Sequence, residues 1–464
     1  MSRFNLSLMR VAAISFVVFE VVACASLPDT NELIAQQVVS EAQFDSSHGP
    51  LSRQSSANIL AELKRISGDI DVLERQIVLE QAITDSPLIV GNKVSLLQDG
   101  TETYSAMFAS LRNAKKNINL ESYIIEDDEI GRQFSDLLLE RQSKGIQVNV
   151  IYDSVGAIAT PKPFYERLMQ GGINVLEFNP VNPLVSRSRW NINHRDHRKL
   201  LVIDGATAFI GGINISSVYS SGSIARRTLK SSKNISKWRD TDIKIEGPVV
   251  GEFQKMFLQT WEKQRGTPLP LDNYFPHLAP VGKDIVRALG STPDDPYSLI
   301  YITLISAINN AEKQVFLTNA YFVPDPQLLK ALTDAAARGV DVKLILPSQS
   351  DSELVFHAGR SHYLALLKGG VHIYERNGAM LHSKTAVIDG TWSTVGSTNL
   401  DWRSFLSNDE INAVILGQEF SQQMIAMFNH DLDVSNPIEL HLWERRSPLL
   451  RIKEWLAQIV GKLL

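Results

Sequence analysis

The sequence predicts an α/β protein made of two pseudo-repeated modules, each a mixed β-sheet flanked by helices, with the active site at their interface. Three observations carry this. The pattern His-x-Lys-x4-Asp occurs twice, as His197, Lys199 and Asp204 and again as His382, Lys384 and Asp389. Each copy continues in register, through Gly211 and Asn214 in the first and Gly396 and Asn399 in the second, with Gly212 changed to Ser397. Around each copy, short apolar runs alternate with amphipathic runs of helical period, which implies a sheet covered on both faces. A lone His-x-Lys means little; two copies in register mark an internal duplication.

Composition bounds the reading. The chain has 464 residues, 44% hydrophobic and 21% charged, which suits a globular protein with room for two or three domains. A net charge of −5 excludes a broadly cationic binder of nucleic acid, so any basic surface is local. Cys24 is the single cysteine, which leaves no disulfide framework and no cysteine-based zinc site.

In chain order, residues 1–24 read as an export signal. Arg3 and Arg10 precede an apolar run that ends in Val21-Val22-Ala23-Cys24, a sequence that resembles a bacterial lipobox with Cys24 as the lipidated residue. Glu20 interrupts the run, and an uncleaved anchor is the alternative. No later stretch reaches the roughly 18 apolar residues of a membrane span. Residues 25–88 form a polar linker and a docking helix, the latter expected over 58–83 from the spacing of Ile59, Leu63, Ile66, Ile70, Leu73 and Ile77.

The first module spans 89–270. Its strands are expected at 94–97, 118–123, 148–152, 173–178 and 200–203, and its helices at 104–113, at 131–144 with Gly145 as the stop, and before Gly171-Gly172. The second module, 290–440, repeats the order with strands at 315–320, 342–346 and 372–375 and helices at 328–338 and 363–368, stopped by Gly339 and Gly369-Gly370. The two motif regions are 191–218 and 376–403. A proline-rich stretch, 265–295, separates the modules. In the tail, 441–464, Ile452, Trp455, Leu456, Ile459 and Leu463 share one helical face. Packing of that stripe on the protein is the favoured expectation, and a helix lying in a membrane interface is the rival.

The motif residues suit phosphodiester chemistry. Such a reaction needs a nucleophile, an acid for the leaving alkoxide and positive charge at the phosphoryl oxygens. Two histidines can supply the first two roles. Lys199 and Lys384 supply cationic donors, and Asn214, Ser397 and Asn399 are expected to add neutral ones. Positions two apart on a strand share a face, so each histidine points the same way as its lysine. No metal or other cofactor is called for. Asp240 and Glu410, which open strand-like runs after the two motifs, are the candidates to orient the histidines. Asp204 and Asp389, each before a glycine, are expected to tie down a turn. His194, His357, His362 and His372 are read as packed side chains.

These residues resemble the phospholipase D superfamily with its paired HKD motifs, over about 91–434. Asn319-Ala320-Tyr321-Phe322-Val323-Pro324-Asp325, Trp238-Arg239-Asp240-Thr241 and Gly396-Ser397-Thr398-Asn399-Leu400-Asp401-Trp402-Arg403-Ser404-Phe405 are similar to segments of bacterial cardiolipin synthases. Asn319-Ala320 departs from the usual Thr-Pro, and the lipobox-like start departs from the paired N-terminal spans of many members. The resemblance implies two phospholipase D-like modules and a phosphatidyl transfer between phospholipids such as phosphatidylglycerol, through a phosphohistidine on His197 with His382 as acid and then base. It implies a membrane surface as partner; the export signal points to a bacterial cell-envelope location, and an exported chain of net charge −5 with no broad basic surface is expected to have no nucleic-acid partner. A phospholipase D that uses water or another alcohol, a nuclease of the same superfamily and a non-catalytic lipid-binding scaffold are the alternatives. A basic stretch with Arg226, Arg227, Lys230, Lys233 and Lys237 is a further candidate for contact with anionic lipid.

Overall fold

The computed structural model describes residues 27, 41–67, 71–84, 86–186, 191–220, 237–270 and 274–461. The export-signal stretch with Cys24 lies outside the described residues, as do Arg226, Arg227, Lys230, Lys233, Lys462 and Leu463. The expected docking helix over 58–83 is two helices, α1 (Arg53–Ser67) and α2 (Asp71–Ile83). From α2, buried Glu80 accepts a hydrogen bond from Trp392 Nε1 at 2.8 Å and lies 3.6 Å from the Arg287 guanidinium. A charge removed from water needs such partners, so this helix pair docks on the second half of the protein through polar as well as apolar contacts.

The first half contains β1 (Ile89–Leu97), α3 (Gly100–Arg112), β2 (Asn117–Ser122), α4 (Glu129–Ser143), β3 (Gln147–Asp153), α5 (Lys162–Gln170), β4 (Asn174–Phe178), β5 (Lys199–Ile203), β6 (Thr207–Gly211), β7 (Asp242–Glu246) and α6 (Val250–Lys263). The second half contains β8 (Asp284–Ser291), α7 (Leu299–Asn310), β9 (Gln314–Asn319), α8 (Pro326–Ala337), β10 (Asp341–Pro347), α9 (Glu353–Arg360), α10 (Tyr363–Lys368), β11 (His372–Arg376), β12 (Lys384–Ile388), β13 (Trp392–Gly396), α11 (Trp402–Leu406), β14 (Asn408–Leu416) and α12 (Gln418–Asp433). Two short helices follow, α13 (Leu440–Trp443) and α14 (Pro448–Ile459).

The strand orders repeat. The first sheet runs β1-β7-β6-β5-β2-β3-β4 and the second runs β8-β14-β13-β12-β9-β10-β11. In each, the two pairings at the outer end are parallel and the rest antiparallel. β1 and β8 pair antiparallel and join the sheets. β8 lies inside the proline-rich stretch that separates the modules in sequence.

Local sequence explains the repeat. Asp128 and Asp325 cap α4 and α8 by accepting from backbone N–H groups of the first turn. Gly145, Gly172, Gly339 and Gly370 follow equivalent helices at φ between 84° and 91°, a backbone conformation that costs glycine little. A shared core then forms between the halves. Leu200, Val202, Ile210 and Ile243 from one sheet and Val395, Ile411 and Ala413 from the other pack with Phe253 and Phe257 of α6 and with Met424 of α12.

Candidate active site

Each motif begins just before the middle strand of its sheet and ends in the hairpin after it. Asp204-Gly205 and Asp389-Gly390 have positive φ at both residues, 55° and 62° in the first hairpin and 52° and 65° in the second, as a type I′ turn requires. The Asp204 carboxylate accepts from the backbone N–H groups of Lys115, Lys116 and Asn117, and that of Asp389 from Glu312, Lys313 and Gln314. Both aspartates therefore sit at the far end of the strand from the histidine, fastening the hairpin to the neighbouring strand's start.

At the other end the two halves exchange short ladders. Arg195–Asp196 pairs parallel with Asn408 and Asp409, and Trp238–Arg239 pairs parallel with Met380–Leu381. His197 N–H donates to Asp409 O at 2.9 Å, and His382 N–H donates to Arg239 O at 2.8 Å. The residue after each accepting carbonyl is a buried carboxylate. The orienting partners are consequently crossed. His197 Nδ1 lies 3.0 and 3.1 Å from the two Glu410 oxygens, and His382 Nδ1 lies 2.7 Å from Asp240 Oδ2. Each histidine thus depends on the opposite half, and its Nε2 is left for chemistry.

The one motif position that differs is explained by this crossing. A Cβ on Gly212 would fall 2.2 Å from Asp240 Oδ1. At the equivalent place, Ser397 has room beside the longer Glu410; its hydroxyl donates to Glu410 Oε2 and accepts from Ile411 N–H at 3.0 Å. The hydrogen on Ser397 Oγ is therefore committed to Glu410, in contrast to the phosphate-donor role expected from sequence. Asn214 is likewise committed, accepting from Ile124 N–H at 3.1 Å and donating to Tyr219 Oη at 2.9 Å. Asn399 is buried with its side-chain oxygen unpartnered; that atom is an acceptor, so only the amide N–H groups of Asn399 could donate to a phosphate.

The electrostatics follow from burial. Lys199 Nζ donates to His197 O at 2.6 Å, and Lys384 Nζ donates to His382 O and lies 2.8 Å from His382 Nδ1. Burial is the largest cause of every shift here, because it penalises charge. It pushes Lys199 down to about 7 and Lys384 down to about 8, with buried carboxylates, Glu410 and Asp240 among them, opposing. His197 is held well below its ordinary range by burial and then by Lys199, Lys384 and His382. His382 is lowered to about 4 by burial and Lys384, with Asp240 opposing. Burial raises Glu410 to about 7 against the pull of Lys199. With no anion present, the cleft thus favours neutral imidazoles.

Aromatic rings enclose the histidines. Tyr123 meets the His197 ring at 5.1 Å, with Lys199 Nζ 5.2 Å from the Tyr123 centroid. Trp238, Tyr219 and Tyr321 stand 5.1, 5.8 and 6.3 Å from the His382 ring. The sequence reading missed several supports around them. Buried Arg195 donates to Ser154 and to the Asn179 carbonyl. His194 Nε2 lies 2.7 Å from Asp409 Oδ1, and Arg239 and Arg376 share Asp431. The alternation of arginine with histidine in 194–198 was the available signal. Of the other histidines read as packed, His357 and His362 are partly buried, whereas His372 is exposed on an outer strand where its side faces water.

Comparison with known proteins agrees with this arrangement. The family described as "Cardiolipin synthase, PLD-like domain" matches residues 107–223 and 304–432, one match per half. A cardiolipin synthase of a Geobacillus species is 34% identical over 389 residues, covering 83% of this chain and 75% of that protein. Cardiolipin synthase A of Pseudomonas syringae is 33% identical over 380 residues, covering 82% and 76%. Among solved structures, the phosphatidylserine synthase of Haemophilus influenzae superimposes with a TM-score of 0.60 at 14% identity, over 83% of this chain and 99% of that one; at that identity the likeness speaks for the fold. With the repeated fold, the crossed histidine–carboxylate pairs and relatives above 30% identity over most of the chain in agreement, the protein belongs to the cardiolipin synthase family of PLD-like proteins.

Proposed function

We propose that this chain transfers a phosphatidyl group between two phospholipids, with phosphatidylglycerol as donor and acceptor and cardiolipin as product. The observation that carries the reading is the pair of buried histidines, each with Nδ1 on a carboxylate from the other half and each beside a buried lysine. Neutral His197 attacks phosphorus through Nε2. The bond from phosphorus to the glycerol oxygen breaks, and His382 Nε2–H protonates that oxygen. The hydroxyl of a second phosphatidylglycerol then gives its proton to His382 and attacks phosphorus. The phosphorus–nitrogen bond breaks and His197 is restored. Splitting one displacement into two keeps the phosphatidyl group on the enzyme while the acceptor enters.

The asymmetry of the pairs supports this division of roles. His197 is flanked by both lysines and by Glu410, which is itself drawn toward neutrality, so its unprotonated form is favoured. His382 is the histidine whose carboxylate partner opposes the loss of its proton. An entering phosphate anion offsets the lysines and raises the affinity of His382 for the proton it must donate. Lys199 and Lys384, as cationic donors, and Asn399 through its side-chain N–H are suited to the phosphoryl oxygens. Asp204 and Asp389 act by holding the hairpins. A lipid substrate implies work at a membrane of the bacterial cell envelope, where Cys24 would add a lipid anchor; no described helix is long and apolar enough to cross a membrane.

The test is incubation with phosphatidylglycerol followed by lipid chromatography and mass spectrometry. Cardiolipin and free glycerol are expected in equal amounts. Phosphatidic acid as the main product would move the assignment to hydrolysis, and unchanged lipid would leave a binding scaffold.

A further inference from the structure

The tail helix α14 is amphipathic in the reverse sense to a packed helix. Its buried positions are Glu454, ion-paired with Arg446 at 2.8 Å, and the small Ala457. Leu449, Ile452, Trp455, Leu456 and Ile459 are exposed, between 53% and 63%. At about 100° per residue, these five centre on the side of the helix opposite Glu454 and Ala457. Arg451 and Lys453, both exposed, fall on the two edges of the stripe. The packing expected from sequence is therefore not what the structure has: the face that seats on the protein is polar and small, and the apolar face is presented outward.

Its place in the fold gives this face a meaning. Ala457 packs with Ala358 of α9 and with Val323, which lies two residues after Tyr321, the residue whose ring stands 6.3 Å from that of His382. Tyr321 Oη also donates to Asp351, just ahead of α9. On the opposite lip, the turn after β3 leans on Tyr123, since a Cβ on Gly156 would lie 2.2 Å from Tyr123 O. That turn carries Ile158, 73% exposed, and the loop after β4 carries Leu184, 91% exposed. Both loops start beside the segment that leads into His197: Asp153, at the end of β3, accepts from Asp196 N–H, and the carbonyl of Asn179, just after β4, accepts from Arg195. Outward apolar side chains thus stand on both sides of the cleft.

We propose that this rim, with the outer face of α14 as its largest part, seats on a bilayer containing phosphatidylglycerol, so that the cleft opens onto the lipid surface. The assignment rests on the lipid-transfer reading above. An exposed apolar stripe with a tryptophan and cations at both edges is the chemistry of an interfacial helix: the stripe enters the acyl boundary and the edge cations reach the headgroups. The same seating places both substrates, donor and acceptor, at the mouth of one site without leaving the membrane.

The experiment uses the full chain carrying Cys24→Ala, so that no acyl anchor contributes, and compares it with the further variants Ile452→Ser/Trp455→Ser/Leu456→Ser and Leu184→Ser. Flotation with vesicles of mixed phosphatidylcholine and phosphatidylglycerol measures seating, and turnover is measured both on those vesicles and on phosphatidylglycerol dispersed in detergent. The triple variant is expected to partition roughly tenfold or more weakly and to lose vesicle turnover in proportion, with detergent turnover kept. Leu184→Ser should shift the same two readouts by a smaller factor. Equal flotation and vesicle turnover in parent and triple variant would overturn the proposal. So would an equal loss in detergent, or a parent dimer that the triple variant splits while vesicle binding stays. A parent inactive on both substrate forms would refute the transfer reading, and flotation would still decide the surface.

Discussion

Replacing Glu410 by Gln tests the crossed pairing most directly. The change preserves shape: the amide oxygen can still accept from His197 Nδ1–H, now at 3.0 Å from the carboxylate, and Ser397 remains beside it. What is lost is the negative charge. In the proposed attack His197 bonds to phosphorus and its ring becomes cationic, with the charge centred roughly 4–5 Å from the centre of the carboxylate. At an effective dielectric constant of about 20, that interaction is on the order of 4 kcal/mol. Some of it returns through the amide dipole, so the loss is about 3–4 kcal/mol, or roughly 200- to 1,000-fold in the attack step. Rapid-quench kinetics with an activated phosphatidyl donor separates that step, seen as the burst, from later turnover. Glu410→Gln should slow the burst. Asp240→Asn, which alters His382, should leave a faster burst and a slow return of free enzyme. There is also a pH signature. Burial raises Glu410 to about 7, so the parent itself loses that charge as pH falls from 8 to 6. The ratio of parent to variant burst rates should shrink roughly tenfold over that range. If Asp240→Asn slows the burst and Glu410→Gln slows the return, the crossing does not operate in catalysis.

Four further outcomes are expected. His197→Ala should form no phosphatidyl-enzyme, whereas His382→Ala should form one slowly from a donor with a good leaving group and then retain it; acid-quenched mass spectrometry reads both, and an adduct on His382 would reverse the roles. In the proposed reaction the lysines act as cations, so with Lys199 at about 7 and Lys384 at about 8, kcat/KM should be supported below these values and fall as pH rises through them. Bound phosphate raises both, so the fall in kcat should lie at higher pH, and a kcat/KM that climbs through pH 9 would contradict the assignment. Asp389→Ala leaves the N–H groups of Glu312, Lys313 and Gln314 without their acceptor and should cost about 2–3 kcal/mol of stability in denaturant titration, with kcat per folded molecule changed far less than by loss of either histidine. Cys24→Ala should abolish labelling by a palmitate analogue and release much of the protein from membranes, leaving the part that the rim alone holds; unchanged labelling would rule out lipidation at this residue.

Much of this architecture is legible in sequence because it is local. Helices stopped by glycine at positive φ and capped by aspartate, and strands read from apolar runs, need only a few neighbouring residues, and the duplication lets each half check the other. The Asp-Gly turns after both motifs are local too, which is why a structural role for Asp204 and Asp389 could be expected and the structure shows both on backbone N–H groups. The crossing could not be read in the same way. It rests on two-residue ladders between Arg195–Asp196 and Asn408-Asp409 and between Trp238–Arg239 and Met380–Leu381. Segments that short have no period, and their partners are far away in the chain. β8 was hidden among prolines, and one apolar run over 58–83 concealed two helices. The α14 stripe shows a further limit: the same spacing of apolar residues serves a core or a membrane, and only the identity of what lies beneath Glu454 and Ala457 separates them.

The crossed carboxylates also bear on why the duplicated halves remain one catalytic unit. In a single half, His197 would have Lys199 beside it but no Glu410, and its backbone N–H would lack Asp409 O. The same holds for His382 without Arg239 O and Asp240. Half a site is therefore not half as active; it lacks both the orientation and the charge compensation of its own histidine. Equivalence between the halves would still leave two identical imidazoles competing for one role. Two small differences break it. Asp240 is one methylene shorter than Glu410 and presses against Gly212, where no side chain fits. Glu410 takes a hydrogen bond from Ser397 and feels Lys199 most among its charged neighbours. Installing a side chain by Gly212→Ser should therefore displace Asp240 and disable His382, whereas Ser397→Gly should leave room but remove one hydrogen bond from Glu410. The first change should fall on release of the phosphatidyl group and be severe. The second should fall on its capture and be mild, about tenfold, the worth of one hydrogen bond to a charged group. The same quench experiment measures both, and equal losses on one step would show that the two positions are interchangeable after all.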